Sequence, residues 1–124
     1  MDNRETFKED KDRIINEIIN LLKHEFDSEA LLIIYDEYTK MLSSYLIGNE
    51  YDKVILHAAR ISEVLMAAIY SRYIGNKVDY NKVYFWKLCD ALKDLPKKCA
   101  EDEILTLVIP SVAESIYRIR SKNV

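Results

Sequence analysis

Two glycines and two prolines in 124 residues constrain this chain more than any other feature. Tight turns and hairpins draw on Gly, Pro, Asn and Asp at fixed positions, so a sheet of short strands would lack residues to reverse it. Helices need no such punctuation, and the helix formers Leu, Ile, Ala, Glu and Lys are abundant. The sequence therefore predicts an all-α protein, a single helical domain over residues 1–124 with about five helices around one core.

Apolar spacing divides the chain. Phe7, Ile14, Ile15, Ile18, Leu22 and Phe26 recur at three and four, predicting a first amphipathic helix between Glu5 and Phe26. Asp27 or Ser28 can cap a second, striped by Leu31, Leu32, Tyr35, Tyr38, Leu42 and Tyr45, with Gly48 expected to stop it in the left-handed conformation. Residues 1–48 thus read as an N-terminal helical hairpin. A third helix should run from Asn49 or Glu50 to Tyr73 and end at Gly75. Tyr51, Val54, Ile55, Ala58, Ile61, Leu65 and Ile69 share one face of it, and Leu56, Val64, Ala67 and Tyr70 extend apolar surface beyond, so it should be central. In "KVDYNKVYFWKLCDALKDLP" strand-favouring residues compete with helical spacing at Val83, Trp86, Leu88, Leu92 and Leu95. A lone strand would leave its backbone unpaired, so a short helix is expected. The last helix should begin near Glu101 or Asp102, run to the end, and kink at Pro110.

Several functions are disfavoured. A net charge of −3 and a pI near 5.4 do not suit a protein held on nucleic acid by general phosphate neutralisation, so any RNA contact would have to be local. His24 and His57 are far apart, and Cys89 and Cys99 form no C-x-x-C, so neither a metal nor a cofactor is expected. Two distant glycines cannot build a phosphate-cradling loop. The charged start "MDNRETFKEDKDR" is unlike a signal peptide, and His57, Arg60 and Glu63 interrupt the longest apolar stretch. A cytoplasmic protein with reduced thiols and no membrane segment is the expectation. The nine tyrosines suggest a base-stacking surface, but their places on or beside helix stripes favour the core.

The end of the chain, "YRIRSKNV", is the stretch that could carry chemistry. At 100° per residue Leu105, Ile109, Val112, Ile116 and Ile119 share a stripe with Asn123 at its centre. Arg120 lies on the flank of that stripe, and Arg118 on the far side near Glu114. An inward Arg and Asn need polar partners, from another helix or another subunit. A helix that frays before Asn123 is the ordinary alternative.

The helix "YDKVILHAARISEVLMAAIYSRYIG", a variable connector and the final "IYRIRSKN" together resemble the HEPN superfamily of small α-helical bacterial domains, over roughly Tyr51 to Val124. Members carry late in the last helix an Arg, usually a polar residue and, a few positions on, a His. Arg120 followed by Ser121 and Asn123 matches best, and the His would then fall just beyond Val124. The chain is expected to continue through that His; a complete but degenerate member is the alternative. The resemblance implies residues 50–124 as a HEPN-like core, Arg120 and Asn123 as catalytic residues, and Arg120 and Lys122 as RNA contacts. It also implies metal-independent RNA cleavage by a homodimer in a toxin–antitoxin or anti-phage setting, the 124-residue chain itself being inactive. A non-catalytic adaptor, dimerisation or RNA-binding module, bound to an antitoxin or other protein, is the competing expectation.

Overall fold

Asp27 opens the first helix seen in the computed structural model, which describes residues 27–48 and 50–123 and the separate positions 9, 12, 13 and 16. Of the helix expected over Glu5 to Phe26, Glu9, Asp12, Arg13 and Asn16 are described and helical, and the rest lies outside the described residues. α1 spans Ser28–Leu46, and Asp27 caps it by accepting a 2.8 Å hydrogen bond from the Ala30 amide. The other Asp27 carboxylate oxygen accepts from the hydroxyl of buried Tyr80, 2.8 Å away, which fastens the start of α1 to a distant loop. α1 ends without the left-handed glycine expected at Gly48: Ile47 stays right-handed, and the Glu50 amide reaches back to Ser44 O. Space explains that glycine better than φ does, because a Cβ on Gly48 would meet the Glu50 side chain at 2.9 Å.

α2 spans Tyr51–Ile74 and ends as expected at Gly75, whose φ of 86° is left-handed and whose amide donates to Ser71 O. Length and composition would let α2 cross a membrane, with a mean hydropathy of 1.4 over its most apolar window. Here it packs against each of the other three helices, and Val64, Met66, Ala67, Ala68 and Ile69 are buried. That position accounts for its apolarity.

The ambiguous stretch forms a helix, α3, over Phe85–Lys93, and no strand occurs among the described residues. Phe85, Leu88, Cys89 and Leu92 face inward. The Lys97 ammonium donates to the carbonyls of Leu92, Lys93 and Leu95 and so caps the helix end, where orphan carbonyls and the negative dipole end favour a cation.

The last helix, α4, is continuous through three segments: Ala100–Glu103, a π-helical turn over Ile104–Val108, and Ile109–Asn123. The π turn sits directly before Pro110, which has no N–H to give and whose ring crowds the carbonyl four residues back. Widening the preceding turn accommodates both, and Ile109 N–H bonds to Ile104 O, five residues earlier. The start of α4 is tied to the end of α2 by Tyr73 Oη donating to Asp102 at 2.8 Å and Arg72 to Glu101 at 2.9 Å. The described residues form four helices, with the main core between α2, α3 and α4 and Ala30 and Ile34 of α1 joining it.

The wheel expected for α4 is corrected by the structure. Thr106, Pro110, Ala113 and Glu114 are the buried positions, whereas Val112 and Ile119 of the expected stripe are exposed, and Leu105, Ile109 and Ile116 are half-buried. Thr106, Pro110 and Ala113 each follow a position of the expected stripe by one, so the inward face is turned by about one residue as a whole, both within the π turn and after it. Polar anchors then decide which side faces in: Glu114 meets Lys93 of α3 at 2.7 Å, and the Tyr117 hydroxyl meets Glu63 of α2 at 2.8 Å.

Candidate anion site at the end of the last helix

Glu63 is the hub of the site. It stands midway along the long apolar helix α2, where an unpaired carboxylate would be costly, and three groups converge on it. Tyr117 donates to its Oε1 at 2.8 Å, Arg60 donates to its Oε2 at 3.1 Å, and Arg120 Nη1 lies 3.6 Å from Oε1. The Arg120 guanidinium also sits over the Tyr117 ring, 5.1 Å from its centroid. Two guanidiniums share one carboxylate, so with Tyr117 neutral the cluster carries a net positive charge.

The environment fixes the protonation of Tyr117. Burial pushes its hydroxyl above the ordinary tyrosine range, and donation to Glu63 pushes it further, against a smaller opposing effect of Arg120. Tyr117 is therefore a neutral donor that orients Glu63, not a base. His57 is engaged elsewhere, its Nδ1 2.6 Å from Glu37 of α1. Among the described residues no three or more His, Cys, Asp or Glu come together as a metal site would require.

The residues singled out in the sequence separate here. Arg120 is turned toward the α2 surface, with 36% of its side chain exposed, and its polar partner is Glu63 of the same chain. That removes the need for a second subunit to supply one. Lys122 is exposed on the last turn. Asn123 closes α4, and its side chain lies outside the described residues. Arg118 points away as expected, 64% exposed and 3.9 Å from Glu114. Its guanidinium lies over the Trp86 ring, 5.4 Å from the centroid.

Sequence reasoning missed Glu63, Arg60 and Tyr117. The available signal was Glu63 itself, a carboxylate within the most apolar helix with Arg60 three positions before it on the same side. Chemically the arrangement can hold an anion beside oriented guanidiniums, but it contains no imidazole to move a proton. No protein-family model, curated protein or solved structure matches this chain.

Proposed function

We propose that this chain is a HEPN-like, RNA-contacting helical module. In this reading residues 50–124 are the HEPN-like core, residues 1–48 an N-terminal helical hairpin whose first helix would bring the bundle to five, and Arg120 the residue that holds an RNA phosphate. The observation that carries it is the orientation of Arg120: Glu63 and the Tyr117 ring hold a partly exposed guanidinium, so little side-chain entropy is lost when a phosphate arrives. A frayed, solvated helix end would not be held in this way. With the motif His supplied as general acid–base, the same pair would support metal-independent RNA cleavage in a bacterial toxin or anti-phage protein of the cytoplasm, working as a homodimer. In this reading a kink at Pro110 sets the direction of the segment that carries Arg120.

Fluorescence anisotropy with a labelled single-stranded RNA tests the phosphate contact. Arg120→Ala is expected to weaken binding by about tenfold or more, the worth of one charge-assisted hydrogen bond, and to flatten the salt dependence by about one phosphate. Arg118→Ala should cost less. Equal losses at the two arginines, or none, would contradict the assignment.

A protein-docking module is the second reading, and one observation favours it. Ile104, Val108, Val112 and Ile119 are exposed along α4, with Ser111 and Ser115 between them. An antitoxin or another copy of the chain would cover that side.

A further inference from the structure

Beside Arg120 lies a surface with a different chemistry. Trp86, at the start of α3, is 40% exposed and packs edge-on against both Phe85 and Tyr117, with centroids at 5.4 and 6.0 Å. Phe85 and Tyr117 are themselves stacked, 4.1 Å apart and within 13° of parallel. The indole is thus held rigidly, and Arg118 lies over it. Tyr84, 61% exposed, carries Lys87 over its ring at 5.5 Å. Large, partly exposed rings each accompanied by a cation form a surface on which bases stack, because every base has a π face and the cation strengthens the contact.

Tyr117 joins this surface to the anion site, since its ring touches Trp86 on one side and Arg120 on another. A single ring between phosphate holder and stacking surface is an interval that one nucleotide can bridge. The geometry points to Trp86, with Arg118, as the stacking site for an unpaired RNA base whose phosphate is held by Arg120. Trp86 becomes the residue that selects single-stranded over double-helical RNA, because a paired and stacked base cannot present its face to an indole. Stacking tolerates any base, so the preference is for strandedness and not for a sequence. This inference rests on the RNA reading above.

Trp86 is the chain's one tryptophan, so its emission reports stacking without any substitution. The intact chain is titrated with a single-stranded RNA of about a dozen nucleotides, with the duplex of the same sequence, and with an abasic ribose-phosphate oligomer of equal charge. Binding is followed separately by anisotropy of end-labelled oligomers. The RNA is expected to quench Trp86 over the same concentrations at which it binds. The abasic oligomer should bind about fivefold or more weakly and leave the emission unchanged, as should the duplex. Trp86→Leu should lower affinity for the RNA and not for the abasic oligomer, with the helical circular dichroism retained. Binding of RNA without quenching, or an equal loss for both oligomers in Trp86→Leu, would overturn the stacking site and leave the phosphate site standing. If no oligomer binds, the RNA reading fails and the stacking site falls with it.

Discussion

Glu114 shows how much one residue can decide. Only 5% exposed, it is a carboxylate inside the bundle, and Lys93 at 2.7 Å is its principal partner, with Arg118 farther off at 3.9 Å. A buried pair adds little net stability, but removing one partner strands the other charge. Lys93→Ala should therefore cost roughly 3 kcal/mol, read as a fall in the urea midpoint, while Lys93→Met with Glu114→Leu should restore most of it. A near-neutral single substitution would mean that water or Arg118 already satisfies Glu114. The same logic separates the two arginines of the last turns. Arg118 supports a buried acid and an indole at arm's length, whereas Arg120 is held between a carboxylate and a ring where an anion can reach it.

The helix ends carry tests of their own. Gly75 has nothing within 4 Å of where a Cβ would stand, so Gly75→Ala should cost only the strain of a left-handed alanine, about 1 kcal/mol by thermal or chemical melting. The junction of α2 with α4 should show itself in acid. The hydrogen bond from Tyr73, ahead of smaller contributions from Lys98 and Cys99, holds the Asp102 carboxyl below its ordinary value of 3.8. A depressed carboxyl stabilises the fold above its unfolded value, and that stability is lost as pH falls through the folded one. Tyr73→Phe should therefore make the melting temperature less sensitive to pH below about 4; an unchanged acid limb would rule out this contact as a stabilising one. Such ends were legible in the sequence because each rests on one residue with one physical property: Asp27 as a cap and Gly75 as a left-handed stop. Faces were harder to read. Of the α1 stripe expected from Leu31, Leu32, Tyr35, Tyr38, Leu42 and Tyr45, Leu42 is buried and Leu31 and Tyr38 are half-buried, whereas Leu32, Tyr35 and Tyr45 are exposed and Ala30 and Ile34 are the other buried positions. On α4 the inward face lies one residue round from the expected stripe, because apolar spacing could not register the contacts of Glu114 with Lys93 and of Tyr117 with Glu63. The partner of Arg120 was illegible for another reason: it comes from a residue 57 positions earlier (Glu63 to Arg120), which only packing brings near.

Over the whole molecule the buried acids of high pKa all push stability in one direction. Burial, ahead of nearby carboxylates, raises the Cys89 thiol from 9.0 to about 12 and the Tyr73 hydroxyl from 10.0 to about 12, and raises Tyr80 and Tyr117 as well. Groups raised on folding contribute fully below their unfolded values and lose that contribution as pH rises through the folded ones. The melting temperature should hold up to about pH 9 and then decline, with Cys89→Ala removing the earliest part of the decline; an alkaline limb that ignores Cys89 would mean that the thiol opens to solvent. The same molecule is acidic, with a net charge of −3, so its general field repels RNA and one oriented cluster must supply the attraction. The arginine side-chain Nε–H resonances, followed by NMR during titration with single-stranded RNA, measure that directly. Arg120 should shift most, Arg60 should follow through their shared Glu63, and Arg72, paired with Glu101 at the far end of α2, should stay in place. An Arg120 resonance that does not move while RNA binds would contradict the phosphate site.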